Sequence, residues 1–426
     1  MAARIFKVRV EKFYLFFDFL FPLPNVLNFS IFKFKKGDTE YGLGWFPMGG
    51  YVKIAGMMDE SDDKEAMARP PQPWEFRSQK AWKRLIIILG GIIVNLIVGV
   101  VIYWGVKFTW GDSYTVMKGV QVEVKDSSLL DAGMKNGDMI LGYKSFEELN
   151  KDILLNDTKS LQVQRGAETL DVQLPEDVVN RIIKNKILLV FPRVPFIVGE
   201  IPDSSVNKNS GLQVGDRITR VDSIPVNYVD EVGAAVQQFA GREVPVTVDR
   251  GGKSETLPLK VSGKGKLEIY STKSLKELNK LGYLKTETVK YGFFEAFGVG
   301  LNSAGTTLSD YAKQFKLIFN PSTGAYKEVG GFGGMASMFP KEWDWEMFWR
   351  LTGFLSLVLA FMNFLPIPML DGGYMVFIIY EMITGKEPGE KFMNVANTVG
   401  FVIVISLLVF ANGNDIYKAI VRNFFS

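Results

Sequence analysis

Residues 85–106 read LIIILGGIIVNLIVGVVIYWGV, an apolar run without a single charged residue. A helix of this length crosses the hydrocarbon core of a bilayer, which takes about 20 residues. Trp82 and Trp104 lie near the two ends of the run, where aromatic anchors are common. The run therefore predicts a transmembrane helix, and a fully buried helix of a soluble protein is the alternative.

Two further apolar runs lie near the end of the chain. Residues 351–370 form the second run, which is followed by GGYMVFIIY after the single charge of Asp371, and residues 392–414 form the third. Three such runs in one chain favour membrane spans over buried soluble helices. The composition agrees, because 47% of the residues are hydrophobic and only 22% are charged. We therefore predict a multi-pass α-helical membrane protein.

Lysine and arginine residues are distributed unequally around the first run. Ten of them lie within residues 33–84, whereas only Lys107 and Lys118 follow soon after the run. Cytoplasmic flanks of membrane spans carry the excess of positive charge. We therefore expect the N-terminal side to be cytoplasmic and residues 112–345 to lie outside the cytoplasm. The net charge of +3 and the lack of a basic tail give no sign of a nucleic-acid partner.

Residues 28–56 alternate apolar and basic positions and then break at Lys36-Gly37-Asp38. This pattern predicts a β-hairpin with a glycine-containing turn. Four glycines spaced by aromatic residues follow the turn, which favours a bent strand at a membrane surface. An ordinary cytoplasmic hairpin is the alternative. Residues 57–80 are polar and rich in proline, and they predict a linker.

An internal repeat lies between the first and second runs. Residues 132–140, AGMKNGDMI, match residues 210–218, SGLQVGDRI, at an offset of 78 residues, and short alternating strands follow both copies. The pattern resembles tandem PDZ domains, in which Gly211, Gly215 and Asp216 would form a turn between strands. PDZ domains bind extended chain ends by adding a strand to a sheet edge. The alternative is a β-rich spacer that binds no ligand. For the first copy this alternative has the same weight as a PDZ domain.

Residues 288–320 show helical spacing with an aromatic face. They predict an amphipathic helix that lies on the outer membrane surface. Residues 328–335, EVGGFGGM, predict a glycine-rich loop. It is not a phosphate-binding loop, because no Gly-Lys-Ser or Gly-Lys-Thr follows.

The segment 363–373, NFLPIPMLDGG, interrupts the second apolar run with two prolines, a carboxylate and two glycines. A buried carboxylate costs several kcal/mol unless it is paired or coordinated. The prolines free backbone carbonyls, which lipid penalises unless the site lines a protein-enclosed cavity. Asp371 is therefore a candidate metal ligand or proton carrier. A helix break at the membrane surface with a solvated Asp371 is the alternative, and the residues alone leave both open.

The pattern Asn-x-x-Pro-x-Pro-x-Leu-Asp-Gly-Gly at 363–373 resembles the third-ligand motif of the site-2 protease family of intramembrane zinc metalloproteases. Gly90-Gly91-Ile-Ile-Val-Asn95 resembles the second span of that family. Residues 41–52, YGLGWFPMGGYV, resemble its membrane-associated β-hairpin. The paired repeats match the bacterial, RseP-like branch of the family. The resemblance covers essentially the whole chain in order.

The resemblance implies a zinc metalloendopeptidase that cleaves transmembrane protein substrates with a zinc-activated water. Asp371 would be a zinc ligand, and Asn95 would support the site from the neighbouring span. The implied substrate path is lined by Asn363, Pro366, Pro368 and Gly372. The hairpin would hold the substrate as an added strand. The enzyme would lie in the inner membrane of a bacterium, with the PDZ-like domains outside and the lipid bilayer around its spans.

One part of the family pattern has no match in the chain, which contains no His and no Cys. The zinc motif of the family is His-Glu-x-x-His, and its second His would fall about two positions before Met1. We therefore expect an N-terminal truncation after that motif and a chain that is inactive as written, because a zinc site needs three protein ligands. The alternative is a non-catalytic membrane scaffold, a pseudoprotease whose PDZ-like domains bind protein tails.

The predicted fold class is a multi-pass α-helical membrane protein with two extracytoplasmic PDZ-like β-rich domains and a membrane-associated β-hairpin. Six parts follow one another along the chain. They are the N-terminal segment with hairpin and linker at 1–80, the first span at 81–111, the PDZ-like domains at 112–194 and 195–262, the extracytoplasmic segment at 263–345, and two spans with the motif at 346–426.

Overall fold

The structure is a computed structural model of the 426-residue chain. It describes residues 2–20, 27–47, 49–57, 70–185, 189–272, 275–340 and 342–424. The chain divides into two compact units. The first, here called the membrane unit, comprises Met1–Val106, Phe294–Ser309 and Gly330–Ser426, and the second, the repeat unit, comprises Lys107–Phe293 and Asp310–Val329.

The described helices and strands are as follows. The α-helices are α1 Ala2–Ile5, α2 Ala81–Thr109, α3 Ser127–Asp131, α4 Phe146–Leu155, α5 Val178–Asn185, α6 Val229–Gln237, α7 Leu275–Lys280, α8 Phe293–Ile318, α9 Phe332–Ser337, α10 Trp345–Phe364, α11 Asp371–Thr384 and α12 Glu390–Phe424. The strands are β1 Val10–Tyr14, β2 Ser30–Lys36, β3 Thr39–Gly44, β4 Tyr51–Ile54, β5 Asp112–Thr115, β6 Val122–Val124, β7 Met139–Ile140, β8 Ser160–Arg165, β9 Glu168–Gln173, β10 Val190–Pro192, β11 Val198–Glu200, β12 Arg217–Val221, β13 Ile224–Pro225, β14 Glu243–Arg250, β15 Lys253–Lys260, β16 Tyr270–Ser271 and β17 Thr286–Val289. Short 3₁₀ turns occupy Phe76–Ser78, Pro321–Thr323 and Ala325–Glu328.

The predicted hairpin is present as β2 and β3, which pair antiparallel with Lys36 opposite Thr39. Gly37 occupies the turn with a φ of 63°, a backbone conformation that glycine adopts without steric cost. The hairpin belongs to a four-stranded sheet in the order β2-β3-β1-β4. Strand β1, which the sequence pattern did not predict, pairs parallel with β3 and antiparallel with β4.

Strand β1 explains the spacing of glycines and aromatic residues in the hairpin. A Cβ on Gly42 would lie 2.8 Å from Cδ1 of the buried Tyr14, so only glycine leaves room for that ring. The Tyr14 hydroxyl donates a hydrogen bond to Glu40 at 2.7 Å, and its ring stacks on Tyr51. Burial raises the pKa of Tyr14 to about 12. The tyrosine therefore stays a neutral hydrogen-bond donor inside the sheet.

Three helices are long and apolar enough to cross a membrane, within the part of the chain that the structure describes. They are α2, α10 and the Lys391–Val421 portion of α12. They cover the first and third predicted runs, whereas the second run, 351–370, is helical only as far as Phe364. The helices approach closely at glycines. A Cβ on Gly99 of α2 would lie 2.6 Å from Cδ2 of Leu357 of α10.

A hydrophobic core in the membrane unit joins the N-terminal segment to two helices. Its buried members come from α1, β1, the loop between them, the Phe76–Ser78 turn, α2 and α11. They are Ala3, Val8, Val10, Phe76, Ile87, Ile88 and Ile378. Phe76 lies in the segment 57–80 that the sequence predicts as a linker, so the end of that segment is packed. Residues 58–69 of the predicted linker lie outside the described residues.

The two sequence repeats fold as two β-rich lobes of the repeat unit. The first contains the sheet β7-β8-β9 and the pair β6-β10, and the second contains the sheet β13-β12-β14-β15 and the pair β11-β16. Each lobe has its own hydrophobic core. Leu267 and Ile269 belong to the second core, and β16 pairs with β11. The second lobe thus uses residues beyond 262, the predicted end of its domain.

Arg193 lies at the junction of the two lobes. Its guanidinium donates to both carboxylate oxygens of Asp230 at 3.0 and 2.8 Å, and its Cζ lies 4.2 Å from the centre of the Tyr228 ring. Its backbone nitrogen donates to the carbonyl of Gln121, which belongs to the first lobe, at 2.8 Å. Asp230 is in the first turn of α6, in the second lobe. One residue therefore contacts both lobes.

The segment between the repeats and the second span is more helical than its glycines indicate. The predicted helix at 288–320 is present as α8. The predicted glycine-rich loop at 328–335 is in part a helix, because α9 begins at Phe332. Backbone nitrogens of Gly331 and Gly334 donate to one carboxylate oxygen of Asp415 at 2.9 Å each. That carboxylate satisfies amides at the start of α9, which accounts for the turn that the glycine pattern did not reveal.

Candidate functional site

The motif at 363–373 forms the connection between α10 and α11. α10 ends at Phe364, and α11 begins at Asp371. Pro366 and Pro368 lie between the two helices, and proline can neither donate the helical hydrogen bond nor follow a helical residue without a clash. The break that the sequence predicts is therefore present, and it leaves Asp371 as the first residue of a new helix.

Backbone strain is concentrated just before Asp371. Met369 has a φ of 82°, a conformation that side-chain-bearing residues rarely adopt. The amide of the next residue, Leu370, donates to the carbonyl of Ile367 at 3.1 Å and closes a tight turn. Strained residues persist only where their surroundings fix them, and they concentrate at functional sites. The turn therefore sets where α11 starts.

The two glycines after Asp371 are required by close backbone contacts. Both Gly372 and Gly373 are buried. A Cβ on Gly372 would lie 2.7 Å from the carbonyl oxygen of Phe364, and one on Gly373 would lie 2.5 Å from Cα of Pro368. No side chain fits in either gap. The glycines thus let α11 fold back onto the proline connection, which brings Asp371 close to the end of α10.

Asp371 lies against the first span. A Cβ built on Gly91 of α2 would be 3.7 Å from Oδ2 of Asp371, an ordinary van der Waals distance. A Cβ on the adjacent Gly90 would be 3.4 Å from Cβ of Ala2. The glycine pair, the carboxylate and the first described residue of the chain therefore meet in one place. A side chain at position 91 would therefore begin directly against the carboxylate.

Asn95 is one helical turn after Gly91, so both residues lie on the same face of α2. Asn95 is partly buried, and its backbone carbonyl accepts a hydrogen bond from the Ser356 hydroxyl of α10 at 2.8 Å. The same face continues with Gly99, which contacts Leu357. The structure therefore brings Asn95 to the helix interface that holds Asp371.

The remaining site residues of the motif differ in exposure. Asn363 and Pro368 are partly buried, and Pro366 is exposed. Gly400 of α12 lies directly on the backbone of Pro368, where a Cβ would be 3.1 Å from the proline Cβ. The proline connection is thus enclosed by α12 as well as by α11. The contact from Gly400 was not predicted from the sequence.

The predicted turn residues Gly211, Gly215 and Asp216 belong to the repeat unit. Asp216 is buried, and Arg250 donates to its two carboxylate oxygens at 2.7 Å each. This pairing lowers the pKa of the Asp216 carboxyl. Arg250 also donates to the carbonyl of Gly211 at 2.9 Å. These contacts therefore stabilise the turn, and the Asp216 carboxylate and the Gly211 carbonyl are engaged in hydrogen bonds within it.

The first repeat has the same set of contacts. Arg165 donates to the two carboxylate oxygens of the buried Asp138 at 2.7 and 2.8 Å, and to the carbonyl of Gly133 at 2.7 Å. In both repeats the aspartate also accepts from a backbone amide three residues earlier, Lys135 or Gln213, at 2.8 Å. The sequence repeat is therefore a repeat of one ion-paired turn.

Sequence reasoning missed a polar contact between the first span and the far end of α11, the helix that begins at Asp371. Arg84, at the start of α2, donates to both carboxylate oxygens of Glu381 of α11. The only signal in the sequence was an acidic residue in the apolar stretch 374–383. Such residues in membrane helices usually have a partner, but the pattern does not say which.

The side chains present do not make a complete zinc site. Three protein ligands are needed, and they are usually His, Cys, Asp or Glu. Among the residues that the structure describes, no three such side chains come together. Asp371 offers one carboxylate, and the chain has neither His nor Cys. The described residues therefore bring one candidate ligand, the Asp371 carboxylate, against the first span.

Comparison with known proteins agrees with the motif. The family model described as peptidase family M50 matches residues 1–407. The "Regulator of sigma E protease" of Haemophilus influenzae is 25% identical over 91% of this chain and 89% of that protein. Two relatives named "Putative zinc metalloprotease" come from Neisseria meningitidis and Vibrio cholerae. The first is 25% identical over 92% of each chain, and the second is 26% identical over 97% of this chain and 93% of that protein.

Proposed function

The chain belongs to peptidase family M50, and from that premise we propose that it acts in intramembrane proteolysis, as a zinc metalloendopeptidase that cleaves membrane-spanning segments of other proteins. The observation that carries this proposal is the position of Asp371. It begins a helix inside an apolar stretch, after two prolines, and lies beside Gly91 of the first span. A carboxylate in such a place needs a metal or a proton to be tolerated.

In this proposal Asp371 is one of the zinc ligands. Two histidines and a glutamate of a His-Glu-x-x-His motif, which these 426 residues do not contain, complete the site. Zinc bound there would supply an activated water for hydrolysis. What supports the arrangement is the contact of Ala2 with Gly90, next to the glycine that faces Asp371. The chain as written is then expected to be inactive.

The residues around Asp371 have supporting roles in the proposal. Asn363, Pro366, Pro368 and Gly372 line the path of the substrate, and Asn95 stabilises the site from the neighbouring span. The broken helix supports this, because its carbonyls and strained turn lie in the same connection as the carboxylate. A scaffold without chemistry would not need a strained turn at this position, which favours the protease over the pseudoprotease alternative.

We also propose that the sheet of the membrane unit binds the substrate in an extended form. Strand β2 is at the edge of that sheet, with exposed side chains along most of its length. An edge strand offers unpaired backbone groups to an added strand. Extension would free the scissile peptide bond from the shielding of a helix. The two repeats, as PDZ-like domains outside the cytoplasm of a bacterial cell, would select chain ends of substrates.

The test is cleavage of a model membrane-spanning substrate in detergent. Two proteins are compared: the 426-residue chain, and a form that carries a His-Glu-x-x-His segment of a relative fused before Ala2. We expect cleavage only by the second protein, and we expect a zinc chelator to abolish it. Chelator-sensitive cleavage by the 426-residue chain would contradict the proposed ligand set. Failure of the fused form to bind zinc would contradict the role of Asp371.

A further inference from the structure

A buried ion pair joins α2 and α11 at the ends that lie away from Asp371. Arg84 is 9% exposed, and one of its terminal nitrogens, Nη2, donates to both carboxylate oxygens of Glu381. The other, Nη1, lies 3.1 Å from Oε1 of Glu387. The side chain of Glu381 is 18% exposed, whereas that of Glu387 is 59% exposed. The inner pair is therefore largely withdrawn from water.

Such a pair is a poor device for stability alone. Removing two charges from water costs about as much as their attraction returns, and a hydrophobic pair of the same volume is often as stable. The guanidinium is also incompletely satisfied, because Nε of Arg84 is buried without a hydrogen-bond partner among the described atoms. What the contact of one guanidinium nitrogen with both carboxylate oxygens does supply is a charge-assisted bond between two defined points of the helices.

The contacts between α2 and α11 fall into three layers. At one end Gly91 faces Asp371, and at the other end Arg84 binds Glu381. The two layers are about 10 Å apart along α2 and about 15 Å apart along α11. Between them, isoleucines of both helices share one buried core, namely Ile87, Ile88 and Ile378. Apolar contacts are non-directional, whereas the contact of Nη2 with both oxygens of Glu381 joins two defined points, so the ion pair fixes the register.

Helix α11 needs such a fixed point because α10 cannot supply it. The chain between them is not helical from Leu365 to Leu370, so the direction of α10 is not transmitted to α11. We propose that Arg84 and Glu381 are positioning residues, which set the register of α11 on α2 and thereby hold the Asp371 carboxylate against Gly91. The proposal rests on the function proposed above, because the position of Asp371 matters for the reaction only if this carboxylate binds the metal.

The test uses the absence of cysteine from the chain. Gly91→Cys combined with Asp371→Cys introduces two thiols at positions that face each other, and the rate of disulfide formation under mild oxidation reports their proximity. We expect rapid cross-linking with Arg84 and Glu381 intact. Arg84→Ala or Glu381→Ala should slow it roughly tenfold, as expected when one contact of a coupled network is lost. The charge swap Arg84→Glu with Glu381→Arg should restore much of the rate.

Two control variants separate an effect on the register of α11 from a general effect of removing a charge, and a third variant covers a failure to fold. Lys80→Ala removes a positive charge from an exposed residue just before the same helix, and Glu387→Gln removes the exposed partner. Both should leave the cross-linking rate within about twofold, because exposed ion pairs contribute little. If Arg84→Ala does not fold, Arg84→Lys keeps the charge but replaces the planar guanidinium by an ammonium whose contact with Glu381 has no fixed direction, and it should still slow cross-linking.

Unchanged rates in the Arg84 and Glu381 variants would overturn the inference. The measurement needs no zinc, so it is separate from the proposed function. If zinc binding to the fused enzyme form depends on Asp371 but cross-linking is indifferent to Arg84, the proposed function stands and the positioning role fails. The opposite result is that cross-linking depends on Arg84 but zinc binding does not depend on Asp371. The ion pair would then set the register of a helix that holds no zinc ligand. In that case both the proposed function and the positioning role in catalysis fail.

Discussion

At the scale of single residues, the proposed site is centred on one carboxylate with glycines around it. Asp371 is followed in the chain by Gly372 and Gly373, and Gly91 lies against it across the helix interface. Asp371 is therefore the residue at which the proposed function is tested first.

Asp371→Asn is expected to weaken zinc binding in the fused form that carries the histidine motif. Asparagine has nearly the same shape but no negative charge, so it replaces a strong oxygen ligand by a weak one. Metal analysis of the purified protein should give about one zinc per molecule before the change and much less after it. Asp203→Asn, at a fully exposed position of the repeat unit, is the control. Undiminished zinc in Asp371→Asn would remove Asp371 from the ligand set.

Asp216→Asn is expected to lower the thermal stability of the second lobe at neutral pH. The pKa of Asp216 is lowered in the folded protein by Arg250, so the ion pair stabilises the fold above the unfolded pKa of about 4. That stability is lost as the pH falls through the lowered folded pKa. The midpoint of unfolding should drop by several degrees at pH 7, and the difference from the parent protein should shrink below pH 4.

The contrasting result for Asp216→Asn is an equal difference at all pH values. It would mean that the substitution acts through packing or the loss of a hydrogen bond instead of charge. Calorimetry of the repeat unit between pH 2 and pH 7 would distinguish the two. This pH interval is chosen because it includes the ordinary pKa range of carboxyl groups, about 3 to 5.

At the scale of helices and strands, the sequence predicts those elements that depend on residues close together in the chain. The apolar runs, the turn at Gly37 and the aspartate turns of the repeats all depend on neighbouring residues, and each is present in the structure, although the helices begin and end at other residues than the runs. The elements that were missed depend on distant partners. Strand β1 pairs with residues about thirty positions further on, and Arg84 meets Glu381 across 297 residues. No periodicity within a short window encodes such a pairing.

Gly300→Ala is expected to disturb the packing of α8 on α2, whereas Gly298→Ala is expected to be neutral or stabilising. A Cβ on Gly300 would lie 2.8 Å from backbone atoms of Trp104, which cannot move aside, while a Cβ on Gly298 would meet nothing within 4 Å. Overpacking costs about 1–3 kcal/mol. At Gly298, alanine gains about 0.5–1 kcal/mol of helix propensity over glycine.

Thermal unfolding of the two variants in detergent compares them directly, since each adds one methyl group to the same helix. The expected order of midpoints is Gly298→Ala at or above the parent protein, and Gly300→Ala clearly below it. Equal midpoints for the two variants would show that α8 does not pack on α2 through Gly300. This pair of variants does not depend on zinc or on any catalytic activity.

At the scale of the whole molecule, the three spans and the β-rich lobes could be predicted, but the short strands that complete the repeat unit could not. The predicted domains end at residue 262, where the alternation of the second repeat stops. The sheets need more of the chain. β16 completes the pair with β11, and β17 pairs with β5 at the start of the first lobe. These strands have two and four residues, too short to be recognised by pattern, and their partners lie far away in the sequence.

A fragment of residues 112–289 is therefore expected to fold cooperatively, and residues 112–262 alone are expected to be less stable. The shorter fragment loses two strand pairs and removes Leu267 and Ile269 from the core of the second lobe. Burial of one large aliphatic side chain contributes about 1.5–3 kcal/mol, so the loss is comparable to the whole stability of a small domain. Circular dichroism during urea unfolding measures both fragments under one set of conditions. The longer fragment should show one sharp transition, and the shorter one a transition at lower urea concentration or none.

Equal urea midpoints for the two fragments would mean that β16 and β17 pair with the lobes without stabilising them. The predicted domain boundary at residue 262 would then be the better description.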